Sequence, residues 1–147
     1  MTPVTDLEQT AAFSAAKALA GLDRGRRAAE AASGLGVSQQ RLMWLFRDGG
    51  ARTLKDVAQA LGLEQSTVNR QVHAALDAGI LRRFQSEGQT AHLLEATTEG
   101  SARFAQDLTT GLEQLQSALD VVPEDRRDRF VADLLAFAEA YDTATRG

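Results

Sequence analysis

Within nine residues the chain gathers Gln65, Ser66, Thr67, Asn69, Arg70 and His73, side chains whose chemistry suits the edges of DNA bases. An Arg pairs with two acceptors on guanine, Asn or Gln pairs with adenine, and a Thr methyl contacts the thymine methyl. A plain solvated helix face would more often carry Glu and Lys. Such groups can read sequence only if a rigid element holds them on one side and presents them to a groove.

That element is legible in TLKDVAQALGLEQSTVNRQVHAALDAG, Thr53 to Gly79. Leu54, Val57, Ala58 and Leu61 keep helical spacing, Gly62 supplies a turn, and Val68, Val72, Ala75 and Leu76 restart the period. On a wheel of 100° per residue the second apolar stripe lies opposite Ser66, Thr67, Arg70, His73 and Ala74, with Gln65 and Asn69 flanking it. Gln65 and Ser66 stand in the first turn, from which a recognition helix reaches furthest into the groove. Helical hairpins with a glycine turn also occur as ordinary packing units. Here Gly79, Ile80 and Leu81 lead into Arg82-Arg83-Phe84, a polar tip from Gln85 to Gln89, and a second short run from Thr90 to Glu95. The order helix, turn, helix, hairpin describes a winged helix.

The chain resembles the MarR family of transcriptional regulators over nearly its whole length. Ser38 to Leu45 resembles the family's helix before the motif, TLKDVAQALGLEQSTVNRQV its two motif helices, AGILRR its entry into the wing, and Thr97-Thr98-Glu99-Gly100 its Leu-Thr-x-x-Gly after the wing. The resemblance implies a mainly α fold: a winged helix-turn-helix at 38–96 with a small β-hairpin wing, flanked by dimerisation helices at 1–37 and 97–147, in a single domain. It also implies a homodimeric repressor on a palindromic double-stranded DNA operator, often released by a small anionic or phenolic ligand. The alternative is a winged-helix module that uses the same face to bind protein. The family's wing usually carries Asp-x-Arg at its tip, whereas the matching positions here are Gly88, Gln89 and Thr90. Wing binding is therefore expected to be weaker, or moved to Arg82 and Arg83, which serve equally as phosphate contacts or as solvated strand ends. Thr53, Gln89 and Thr90 complete the candidate DNA-contacting set.

Charge at first opposes DNA binding: 16 Lys and Arg against 20 Asp and Glu give −4. The acid is concentrated at the end, since 97–147 holds five basic and ten acidic residues while 38–96 holds seven and six. The motif region is only weakly basic, so modest non-specific affinity is expected. Arg24, Arg26 and Arg27 could add phosphate contacts, or simply solvate a helix end.

The flanks suit pairing. Ala105, Leu108, Leu112, Leu115 and Leu119 follow 3, 4, 3, 4 spacing. Beyond Pro123, with Glu124 and Asp125 in the first turn of a last helix, Phe130, Leu134, Phe137 and Tyr141 continue the pattern. An N-terminal helix is expected from about Asp6 to Ala32, bearing Leu7, Ala11, Ala15, Ala18 and Leu22. Terminal stripes flanking a small winged module are expected to pair isologously across a two-fold axis.

Catalysis is not expected. The two histidines, His73 and His92, lie in no metal-ligand spacing, and neither a phosphate-binding glycine loop nor a nucleophile elbow occurs. No metal or cofactor is expected. Without cysteine there is no disulfide or thiol switch, which excludes the peroxide-sensing mode of some members of the family. With no signal-peptide pattern and no run of about 20 apolar residues, a cytoplasmic protein without membrane partners is expected. Trp44, alone of its type, lies on a helix expected from Ser38 to Asp48 among Leu42, Met43, Leu45 and Phe46. Its ordinary reading is core. The resemblance implies a ligand cleft that this helix could line, with Trp44 and Met43 as apolar walls and Arg41 as the charge for a carboxylate or phenolate.

Overall fold

Each turn of the central motif has a chemical stop and start. Thr53 caps α4 (Leu54–Leu61): its hydroxyl accepts the Asp56 N–H, and the Asp56 carboxylate in return accepts the Thr53 N–H, both at 3.1 Å. The helix ends at Gly62, whose φ of +64° is a left-handed conformation that a Cβ would disfavour, and the Leu63 N–H returns to the Ala58 carbonyl. Helix α5 (Gln65–Asp77) follows and buries Val68, Val72 and Ala75 against Val57 and its neighbours.

The computed structural model describes all residues, 1–147. Around the motif lie α1 (Val4–Leu7), α2 (Ala11–Ala32), α3 (Val37–Leu45), β1 (Leu81–Gln85), β2 (His92–Ala96), α6 (Thr98–Leu119), a 3-10 turn (Glu124–Arg126) and α7 (Arg127–Arg146). Strands β1 and β2 are antiparallel, with Leu81 opposite Ala96, Arg82 opposite Glu95 and Gln85 opposite His92. The chain is thus mainly helical with one small hairpin, as its periodicities predict. The core holds Leu35, Leu42, Met43, Phe46, Val57, Val68, Val72, Ala75, Ile80, Leu81, Leu94 and Phe104.

Several boundaries differ from the sequence expectation. The N-terminal helix is broken, because the Thr10 hydroxyl accepts the Phe13 N–H and starts α2 afresh, leaving Leu7 on a separate turn. Helix α3 stops at Leu45 rather than Asp48. Strand β2 begins at His92 rather than Thr90, since the Thr90 carbonyl accepts the Gln85 side-chain amide (2.9 Å) within the hairpin loop. Pro123 precedes a 3-10 turn, so the last α-helix opens at Arg127. Arg52 also exchanges both backbone hydrogen bonds with Leu94 (2.9 and 2.8 Å), a one-residue third strand that no alternation in the sequence announced.

The chain divides into two units, residues 1–107 and 108–147, and the division falls inside α6 rather than before it. In the first unit α6 belongs with the winged helix, because Phe104 joins its core and Asp107 accepts the Gly34 and Leu35 N–H groups at 3.0 and 2.9 Å. In the second, Arg127 donates to the Val122 carbonyl (2.8 Å), and the Phe137 and Tyr141 rings stack 6.2 Å apart along α7. No residue of the second unit is buried.

Strand, helix and wing meet at one backbone carbonyl. Thr97 donates its N–H to Ile80 O (3.0 Å) and its hydroxyl to Gly79 O (2.6 Å), and that hydroxyl accepts the Gly100 N–H (2.9 Å). A Cβ on Gly100 would lie 2.1 Å from Ile80 O, so nothing larger than glycine fits. Gly100→Ala is expected to destabilise the chain by about 3 kcal/mol or more in urea unfolding, as rigid overpacking does. Gly25→Ala, in an open helical position, should be neutral or stabilising by up to about 1 kcal/mol.

Candidate nucleic-acid interface

With its apolar stripe buried, α5 turns Gln65, Ser66, Arg70 and His73 to solvent and leaves Thr67 and Asn69 half-buried at the edges. Arg70 makes no ion pair within the chain, so its guanidinium is available to an outside acceptor. Thr53 stands apart from this set: its hydroxyl already accepts a helical N–H. Gln89 and Thr90 are exposed in the hairpin loop, where the Gln89 N–H closes a turn onto Ser86 O (3.1 Å).

The two wing arginines prove unlike. Arg82 forms an ion pair with Glu95, its direct cross-strand partner, and its guanidinium carbon lies 4.9 Å from the Phe84 ring centroid. Arg83 is exposed and unpaired. Neutralisation also governs α2, where Arg26 bridges Asp23 and Glu30 at 2.7 Å each and Arg27 reaches Asp23 at 3.0 Å. The hydrogen bond from Arg26, then the charge of Arg27, holds the Asp23 carboxyl below its ordinary value. Of that cluster only Arg24 keeps an unmatched charge. These carboxylates sit three to four residues from their partners, the helix-pair spacing.

Two charged residues escaped the sequence reading. Glu64, at the N-cap of α5, makes no capping hydrogen bond and leaves its carboxylate exposed beside Gln65. Glu87 is exposed at the hairpin tip. Their signal was present, since acids beside a candidate reading face count against phosphate as surely as bases count for it.

Of the residues proposed for a ligand, Met43 is turned away from the other two. Met43 is core at 2% exposure, while Trp44, 100° further round α3, is 48% exposed. The guanidinium beside the indole is that of Arg47, 4.3 Å from the ring centroid and donating to the Trp44 carbonyl at 2.8 Å. Arg41 is exposed one turn before Trp44, on the same side of α3. Phe104 meets the indole edge-on at 6.3 Å.

The apolar positions of the terminal helices remain uncovered. Leu112 and Leu115 are 55% and 61% exposed. Leu7, Ala11, Phe130, Leu134, Phe137 and Tyr141 are exposed too, with Leu108 and Leu119 half-buried. No three His, Asp or Glu side chains converge to hold a metal ion, and no helix is long and apolar enough to cross a membrane.

No protein-family profile matches the chain. It is 31% identical over 80 residues to the LexA repressor of Magnetococcus marinus; the alignment takes in 51% of this chain, which spans about a third (33%) of that curated relative's length. Its structure is similar to that of a MarR family transcription regulator (16% identity, TM-score 0.77, covering 98% of this chain and 99% of that one). It is also similar to the transcriptional repressor CouR bound to a 23-mer DNA duplex (18%, 0.68, covering 94% and 99%). A third similar structure is NadR in complex with 4-hydroxyphenylacetate (18%, 0.61, covering 86% and 89%). The chain therefore has the winged-helix fold of the MarR-family regulators.

The cap that starts α4 is directly testable. Thr53→Ala should cost about 1 kcal/mol of stability. The Thr53 N–H and then its hydroxyl hold the Asp56 carboxyl below its ordinary value. A carboxyl so depressed stabilises the fold above the unfolded Asp value of about 4, and that contribution is lost as pH falls through the folded value. Urea midpoints of the parent should thus drop below pH 4 more steeply than those of Asp56→Asn.

Proposed function

We propose that the chain is a MarR-type transcriptional regulator, acting in the cytoplasm as a homodimeric repressor on a palindromic operator. The observation that carries this reading is the face of α5: polar, exposed, unpaired at Arg70, and backed by a stripe of which Val68, Val72 and Ala75 are buried and Leu76 half-buried. Nothing in the chain consumes these groups, and their types match base edges. CouR, bound to DNA on the same fold, supports the reading. In this division of labour 38–96 reads DNA, while 1–37 and 97–147 pair two copies.

Pairing is supported by the uncovered leucines and aromatics of α6 and α7, a quantity of exposed apolar surface that a two-fold partner would bury. Leu112→Asp with Leu115→Asp should dissociate or unfold the protein. Light scattering at micromolar concentration checks this, and a wild-type monomer overturns pairing.

Arg70→Ala should leave the melting curve unchanged, cost about 1 to 3 kcal/mol per half-site and relax specificity at one base position. Binding measured on duplexes selected from random sequence tests it, and unchanged affinity counts against this docking. The near-neutral charge of the face favours a second reading, a protein-binding module. Steep salt dependence on DNA separates the two, because neutralising phosphates releases counterions.

Release by a small aromatic or phenolic acid is the finer part of the reading, supported by NadR with 4-hydroxyphenylacetate. Trp44 would supply the aromatic wall, with Arg47 beside its ring and Arg41 one turn earlier as the cations for a carboxylate or phenolate, and Met43 behind it in the core. A preference of about 1 to 3 kcal/mol for a non-docking state would weaken operator binding 5- to 150-fold, and DNA must weaken the ligand equally. Titration of Trp44 fluorescence with salicylate-like acids, with and without operator, reads both; equal affinities refute the switch.

A further inference from the structure

The hairpin is anchored at its base and carries the wrong charge at its tip. The base is held by Thr97 on Ile80 O, and the Arg52–Leu94 bridge holds the middle of the ladder, where Leu94 pairs with Arg83. Five-residue strands at about 3.3 Å per residue then carry the loop some 15 Å outward, enough to reach a groove beside the one that α5 would occupy. Any element entering a narrow minor groove meets the most negative potential on DNA, and proteins that do so insert Arg or Lys.

From Phe84 to Ala102 there is no Lys or Arg, and the tip presents Glu87. Arg82 does not compensate, because Glu95 takes its charge and Phe84 its face. Only Arg83 remains, in the middle of β1, on the strand face shared with buried Leu81 and Leu94. Its reach is to a phosphate.

Resting on the DNA-binding reading above, we infer that this wing stays out of the minor groove, that base readout is confined to α5, and that the hairpin adds one sequence-blind phosphate contact through Arg83. The operator is then specified only by the major-groove bases under each recognition helix. Flanking sequence carries no A·T preference.

The test uses the full chain and its best duplex from a random-sequence selection. Pairs flanking the selected bases are changed from A·T to G·C, and then to inosine·C, which removes only the minor-groove amino group. Affinity of the parent should change by less than about twofold across the three, since the minor groove distinguishes little else. Arg83→Ala should weaken every duplex alike and lower the slope of log affinity against log salt by about 1. Glu87→Arg, at an open turn where folding is checked by the melting curve, should tighten binding, raise that slope by about 1 and create an A·T preference in the flanks. A parent that loses about tenfold or more on the A·T to G·C change, regained with inosine, overturns the inference, since the wing would then be reading the minor groove. So does an Arg83→Ala protein with unaltered salt slope. A parent that binds no duplex at all overturns the DNA-binding reading itself, and this inference with it.

Discussion

The carbonyl of Ile80 is the point on which the winged helix turns. It accepts the Thr97 N–H at the end of the hairpin and abuts Gly100 in the first turn of α6, while the N–H of the same residue closes α5 on Ala75 O. Three elements therefore meet at one residue, and the Thr97 hydroxyl completes the joint by bridging Gly79 O and the Gly100 N–H. Because a buried backbone polar group left without a partner costs about 1 to 3 kcal/mol, this joint resists small rotations. The angle between α5 and the hairpin is thereby set by hydrogen bonds, which are directional, and only then filled by apolar contact.

Charge is organised by cancellation. Arg26 and Arg27 meet Asp23 and Glu30, Arg82 meets Glu95, exposed Glu64 stands at the start of the helix that carries Arg70, and exposed Glu87 stands at the hairpin tip. Exposed pairs of this kind add little stability, with a median of about 0 to 1 kcal/mol. Their consequence lies in the field, since a face with few unmatched cations binds phosphate weakly and must discriminate by hydrogen bonds and shape. The polar, short side chains of α5 are suited to that.

The second physical theme is the unequal burial of the helices. Helix α6 is tied to the winged helix by Phe104 and by the Asp107 carboxylate on two backbone N–H groups, and past Asp107 no residue is buried. Leucines spaced 3 and 4 apart along that exposed stretch form a seam without an intramolecular counterpart. Burying a Leu or Phe fully is worth about 1.5 to 3 kcal/mol, so the seam is a reserve of association free energy that the single chain leaves unused.

Local signals determined much of this protein. The caps and stripes of Thr53, Gly62, Val68 and Val72 specify the motif helices within a residue or two, because backbone satisfaction at a helix end and a 3.6-residue period are properties of adjacent letters. Most of the exposed set on α5 was legible for the same reason, since inward apolar positions turn Ser66, Arg70 and His73 out, although Thr67, placed opposite the stripe, is half-buried. The polar cap at Thr10 was equally local, yet a longer apolar period overran it. What tertiary structure alone decided are the pairings between distant letters. Arg52 finds Leu94, Asp107 finds Gly34 and Leu35, and Arg82 is neutralised across the strands by Glu95 while its neighbour Arg83 is left free. Trp44 likewise meets Phe104 while Met43, one letter away, is core. Hydrogen bonds and ion pairs depend on distances of a few ångströms, and for residues 13 to 73 positions apart only the packed chain sets those distances.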